Sequence, residues 1–231
     1  MPVRMTGMIT VPGNVFHEMQ PYQKEFIEFA IAHKVLCFGD YTLKSGRRSP
    51  YFFNTGLFSD GASLATLGHF YASAITASGV DFDMLFGPAY KGIPLATSVA
   101  IALAGSFRRN VSICFNRKEI KDHGEGGTLF GASPAGKVLI VDDVISAGTS
   151  VNNSVHIIRQ AGAVPAGVAV AMDRQERGEG RLSAVQETEQ RHNIKVISII
   201  TLDNVIEYLE IREGMNASLD RISEYRRLYG V

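Results

Sequence analysis

The chain reads as an α/β domain, a doubly wound, mainly parallel sheet flanked by helices, with an N-terminal helix and a β-hairpin set against it as a hood. Three observations predict this. Short runs dominated by apolar residues recur at Met84–Phe86, Val111–Phe115, Val138–Val141, Ala166–Met172 and Lys195–Ile200. Helical stretches alternate with several of them, which is the pattern of parallel strands covered on both faces. The chain's 231 residues, 45% hydrophobic and 20% charged, suffice for one substantial core without staples.

In chain order, residues 1–15 carry Pro2, Arg4, Pro12 and Gly13 without a continuous apolar core, and are expected to form a loose arm rather than a signal or an anchor. Residues 20–60 are expected to hold the first helix and the hood. From Tyr22 to Val35, Phe26, Phe29, Ala30 and Ile31 recur at helical spacing. Phe38–Leu43 and Tyr51–Asn54 are strand-like, and the polar connector between them contains Gly46 and Pro50, the signature of a hairpin. A helix follows over Ala62–Ser78, opening a core expected to span residues 61–201. Met84–Phe86 leads through Gly87–Pro88 into a helix over Ile93–Leu103, and the strand Val111–Phe115 comes next. Residues 116–136 are polar and glycine-rich and read as a long connection. Then come the strand Val138–Val141, a helix over Thr149–Ala161, and the last two strands. Residues 202–231 read as a charged, peripheral pair of helices. The whole is expected to be one domain.

Charge and cysteine content narrow the function. The 23 basic and 23 acidic side chains cancel, which argues against a polybasic nucleic-acid binder or an acidic solvating segment. Cys37 and Cys114 are far apart and in no metal-like spacing, so a reducing compartment is expected. No apolar run reaches the roughly 18 residues of a membrane span. A soluble, cytoplasmic protein without nucleic-acid or membrane partners is the expectation.

In open α/β sheets, ligands bind beyond the carboxyl ends of the strands. The segment after Val138–Val141 is Asp142-Asp143-Val144-Ile145-Ser146-Ala147-Gly148-Thr149-Ser150. A buried strand ends in two carboxylates, and small and hydroxyl residues open a helix. Backbone N–H groups at such a helix start make a phosphate cradle, to which Ser146, Thr149 and Ser150 can add hydroxyls. Carboxylates would repel a phosphate unless they serve another part of the ligand. Ribose hydroxyls, which donate hydrogen bonds to carboxylates, meet that need, so the implied ligand is a ribose 5-phosphate. There is no Gly-x-x-x-x-Gly-Lys-Ser/Thr, and Gly124, Gly126 and Gly127 do not complete Gly-x-Gly-x-x-Gly.

The run Val138–Ser150 resembles the phosphoribosyl diphosphate (PRPP) signature of the type I phosphoribosyltransferases. Three further segments resemble the orotate-using members: Thr42–Asn54 with its Lys44-Ser45-Gly46-Arg47, Phe86–Ile93, and Arg117–Gly126 with its Arg-Lys-x-x-Lys-x-His-Gly pattern. Their order along the chain matches as well. The resemblance implies the type I phosphoribosyltransferase fold, orotate and PRPP as substrates, Mg²⁺ as cofactor, and a homodimer in which a lid closes over the neighbouring subunit's site.

It also implies roles. Lys44 reaches the site from the hairpin, and Phe52 and Phe53 flank the orotate ring; because strand side chains alternate, one is expected to act through its ring and the other through its backbone. Arg174 pairs with the orotate carboxylate, with Ser146 beside the base. Tyr90 and Lys91 hold pyrophosphate oxygens, and residues 142–150 hold the phosphoribosyl group. Arg117, Lys118, Lys121 and His123 form a cationic lid that neutralises departing pyrophosphate and excludes water. Lys121, His123 and Asp143 are the expected catalytic groups, and no side chain is expected to ligate the metal, which rides on PRPP and waters. Two alternatives are a transferase for a purine or uracil, whose base region should lack the Lys-Ser-Gly-Arg hairpin, and a non-catalytic PRPP sensor.

Overall fold

The computed structural model describes residues 19–43, 46–121, 127–146, 148–178 and 180–231, with residues 120 and 121 described by backbone alone. Expectations for the N-terminal arm, Lys44, His123 and Ala147 lie outside the described residues.

Helix α1 (Pro21–Ala32) starts with proline at its first position and a reciprocal Gln20–Gln23 cap, and buries Phe26, Ile27 and Ala30. Strands β1 (Leu36–Thr42) and β2 (Arg48–Phe53) form an antiparallel hairpin, with Leu36 opposite Phe53 and an irregularity between Phe38 and Tyr41. Helix α2 (Gly61–Ser78) is capped by Asp60 through the Ser63 N–H. The remaining strands are β3 (Met84–Gly87), β4 (Ser112–Lys121), β5 (Gly127–Gly131), β6 (Lys137–Val141), β7 (Val164–Asp173) and β8 (Lys195–Thr201). Between and after them lie α3 (Gly92–Ser106), α4 (Thr149–Gln160), α5 (Ala184–His192), α6 (Leu202–Glu210) and α7 (Asn216–Tyr229).

The main sheet has the order β5-β4-β3-β6-β7-β8, parallel except for the β4–β5 pair. Successive residues of the inner strands serve opposite faces. Leu85, Leu139, Val141 and Ala169 join α1, α2, α3, α6 and α7 in the larger core. Met84, Phe86, Val138, Ile140 and Val168 pack against Val151, Val155 and Ile158 of α4 in the smaller one. From β3 the chain goes out to β4 on one side and returns as β6 on the other. The crevice at the carboxyl ends of β3 and β6 is therefore the topological switch point.

Three expectations need correction. The stretch 116–136 is not one long connection: β4 continues to Lys121, and β5 pairs with it antiparallel, Phe115 opposite Phe130 and Asn116 opposite Leu129. Arg117 and Lys118 thus lie on a strand. An edge hairpin tolerates charges because half its surface is solvated, and the apolar signal of Leu129 and Phe130 is diluted by the glycines around it. Helix α5 has no counterpart in the sequence reading, since it buries only Thr188. Its legible mark is the Ser183–Gln186 capping box, in which Ser183 Oγ accepts from Gln186 N–H (3.1 Å) and Gln186 Oε1 from Ser183 N–H (3.0 Å). Finally, α6 is not peripheral: Leu202, Val205 and Leu209 are wholly buried in the larger core. Among the described residues no helix is long and apolar enough to cross a membrane.

Candidate active site at the switch point

The loop after β3 is drawn tightly against the end of β6. A Cβ on Gly92 would stand 2.4 Å from Pro88 Cδ and 2.9 Å from the Val141 carbonyl, so only hydrogen fits there. Asn116 Oδ1 accepts from Ala89 N–H at 2.8 Å, tying this loop to β4. The result places Lys91 across from the strand end, where its Nζ is 2.6 Å from Asp143 Oδ2.

The two adjacent carboxylates have different surroundings. Asp142 is buried; its Oδ1 accepts from Asp143 N–H (2.9 Å) and its Oδ2 from the Ser150 hydroxyl (2.7 Å). Burial pushes its carboxyl above the usual Asp value, although both hydrogen bonds pull the other way. Asp143 is the half-buried one, and it faces Lys91. Beyond them Ser146, Thr149 and Ser150 are exposed at the start of α4, where backbone N–H groups and the helix dipole favour an anion. Val144 and Ile145 are half-buried, and Ile145 packs against the smaller core, anchoring the loop.

The cationic strand lies on the other side of the crevice. Lys118 Nζ sits 4.5 Å from the centroid of the exposed Tyr90 ring. Arg117 donates through Nη1 to the Leu129 carbonyl (3.0 Å) and lies over the Phe130 ring. Tyr90, Arg117, Lys118 and Phe130, together with Ala89, Ile93, Asn116 and the carboxylate Glu119, line a cavity of about 330 Å³. Lys121 ends β4, its backbone paired opposite Gly127.

On β2, Phe52 is exposed and stacks on Tyr41 (5.4 Å between centroids), whereas Phe53 turns inward against Phe26 (6.4 Å). The rings thus take opposite faces, as alternation demands. Arg174, just past the end of β7, is held in a buried frame. Its Nε and Nη2 donate to Glu176 Oε1 at 2.8 and 2.6 Å, and its guanidinium lies 4.3 Å from the centroid of the wholly buried Tyr51 ring. Burial opposes the charge on Arg174, but Tyr51 and Glu176 outweigh it and raise its pKa. Glu176 also accepts from the Tyr51 hydroxyl (3.1 Å) and lies 3.6 Å from Arg47, and so ties the hood to the β7 edge. Glu176 was not singled out in the sequence, since a carboxylate two positions after an arginine is common and its partners in the hood, Tyr51 and Arg47, are 125 residues away or more.

The structure thus brings Tyr90, Lys91, Arg117, Lys118, Asp142, Asp143, Ser146 and Ser150 to one edge of the sheet, and Phe52 and Arg174 to the hood side of that edge. A larger groove of about 760 Å³, lined by residues including Tyr22, Lys195, Asp203 and Arg226, contains none of the expected site residues. Among the described residues no three His, Cys, Asp or Glu side chains converge as a metal site.

Residues 59–201 match the model of the phosphoribosyl transferase domain family. The chain is 60% identical over 213 residues to the orotate phosphoribosyltransferase of Cellvibrio japonicus, covering 92% of this chain and 99% of that one. It is 57% identical to the orotate phosphoribosyltransferase of Escherichia coli over 92% of this chain and 100% of the other. The crystal structure of the orotate phosphoribosyltransferase of Francisella tularensis superposes with a TM-score of 0.82 at 42% identity, covering 90% of this chain and all of that one.

Proposed function

The chain belongs to the orotate phosphoribosyltransferases, within the phosphoribosyl transferase domain family, and we infer that its switch-point site transfers the 5-phosphoribosyl group of PRPP to orotate. The products are orotidine 5′-monophosphate and pyrophosphate, a step of pyrimidine nucleotide synthesis. The observation that carries this reading is the strand end: a buried carboxylate, a carboxylate facing a lysine, and an open helix start, all within Asp142–Ser150 and Lys91.

The orotate ring nitrogen gives up its proton, which the departing pyrophosphate takes, and bonds to ribose C1 as the bond from C1 to the pyrophosphate oxygen breaks, through a transition state of oxocarbenium character like that of other glycosyl transfers. No enzyme nucleophile is needed. The start of α4, with the backbone N–H of Ser150, and the hydroxyls of Ser146 and Thr149 take the 5-phosphate. Asp143 accepts from the ribose hydroxyls and favours positive charge developing on the ring, while Asp142 holds the loop through Ser150. Lys91 and Tyr90 meet the pyrophosphate. Arg174, fixed by Glu176 through Nε and Nη2, offers the orotate carboxylate the N–H groups that Glu176 does not take, and Phe52, with Tyr41 behind it, gives the pyrimidine a flat apolar wall. Mg²⁺, when bound, offsets diphosphate charge; the site fits a cation carried on substrate oxygens and waters, because Asp143 is a lone half-buried carboxylate already facing Lys91.

Lys121 and His123, with Arg117 and Lys118, stabilise the departing pyrophosphate. Arg117, Lys118 and Lys121 lie on β4, which with β5 forms the hairpin at the sheet edge, a place from which this segment can serve the neighbouring subunit of a homodimer. The test is spectrophotometric: orotate absorbance should fall only when PRPP and Mg²⁺ are both present, and neither uracil nor a purine base should replace orotate. Turnover of a purine or of uracil in preference to orotate would contradict the reading, as would PRPP binding without turnover of any base.

A further inference from the structure

The hydrogen-bond ladder at the end of β6 is irregular. Asp142 N–H donates to the Ala169 carbonyl (3.0 Å), but Ala171 N–H donates to the Asp143 carbonyl (2.9 Å), so the ladder steps over the Asp142 carbonyl. That carbonyl is taken instead by the hydroxyl of Tyr71, at 2.7 Å. Tyr71 lies on α2 and is wholly buried. Burial, with the negative charge of Asp143 and Asp142 nearby, holds its pKa well above the usual tyrosine value, so the hydroxyl stays a donor.

Helix α2 reaches this point because Gly68, one turn before Tyr71, lets it lie directly on α3. A Cβ at Gly68 would come within 2.4 Å of the Ser98 carbonyl. Helix α3 in turn begins at Gly92, beside Lys91. Helix α2 therefore packs on the helix that follows Lys91 and, through Tyr71, contacts the strand end that carries Asp143.

We propose that Tyr71 is a positioning residue for the transfer reaction: its hydroxyl fixes the irregular strand end so that Asp143 faces Lys91 and the ribose hydroxyls. This rests on the reading of Asp143 as a ribose ligand. The test is Tyr71→Phe, which keeps the ring and removes one donor, leaving a buried carbonyl without its partner. The KM for PRPP should rise about tenfold, on the scale expected when a buried acceptor loses its bond, with kcat lowered and the KM for orotate within about twofold. Leu67→Val, a cavity lesion one turn earlier on the same helix that leaves the Tyr71 hydroxyl in place, should lower thermal stability without moving the KM for PRPP. In an Asp143→Asn background the effect of Tyr71→Phe on PRPP should vanish, because the two act as one unit. If Tyr71→Phe shifts the KM for PRPP no more than Leu67→Val does, or if its effect persists undiminished beside Asp143→Asn, the positioning role is overturned. If instead Asp143→Asn alone leaves the KM for PRPP unchanged, it is the underlying reading of Asp143 that fails.

Discussion

Asp142 and Asp143 are neighbours in the chain and opposites in environment. Asp142 is a buried carboxylate that organises its own loop, and its charged form is disfavoured by burial. Its folded pKa lies above the unfolded value of about 3.9, so its contribution to stability is fully present below that pH and is lost as pH rises through the folded pKa. Asp142→Asn can keep both hydrogen bonds, accepting from Asp143 N–H and donating to Ser150, without the charge. Thermal melts should therefore show the variant more stable than the parent at pH 8, with the gap closing as the pH approaches 4. Equal stability differences at both pH values would refute the assignment. At this scale the sequence was informative about residue type and poor about pairing. The acidic pair and the hydroxyls after it were legible because a strand end and a helix start constrain them. The partition between a buried and a presented carboxylate was not, because it depends on Ser150 folding back and on Lys91, 52 residues earlier. The hub at Glu176 was hidden for the same reason.

Elements with strong apolar patterns were found within a few residues of where they lie, and those defined by polar chemistry were missed. The five apolar runs announced β3, β4, β6, β7 and the edge strand β8, because strands covered by helices carry mostly apolar residues. The edge strand β5 and the thin helix α5 bury too little to leave such a trace. The tight β3–α3 turn is an element-scale device whose cause is a single hydrogen atom at Gly92. Gly92→Ala places a methyl carbon against Pro88, Gly87 and the Val141 carbonyl, and the loop must move away from β6. Chemical denaturation should show a loss of about 1–3 kcal/mol, the range for overpacking a tight site. The KM for PRPP should rise with it, because Lys91 precedes the displaced residue. A destabilised variant with unaltered PRPP kinetics would detach this turn from the site.

For the whole molecule, zero net charge proved to be a sum of placed opposites. Arg117 and Lys118 lie on β4, on one side of β3, and Asp142 and Asp143 follow β6 on the other. The strand order that creates the switch-point crevice was not readable from local pattern, since it depends on which side of β3 each later strand joins; the expectation that ligands sit at the carboxyl ends needed only the α/β class. On the proposed reading each subunit carries two half-sites, an acidic strand end for the sugar of its own site and a cationic hairpin for the leaving group of its neighbour's. Catalysis then needs both halves, the second from the partner subunit. Mixing Asp143→Ala and Lys121→Ala subunits tests it directly, after each inactive homodimer has been shown to be folded. Half of the randomly reassociated dimers are mixed, and each mixed dimer regains one intact site, so the account predicts recovery of about a quarter of the parent activity. Mixed dimers that form and remain as inactive as their parents would contradict it.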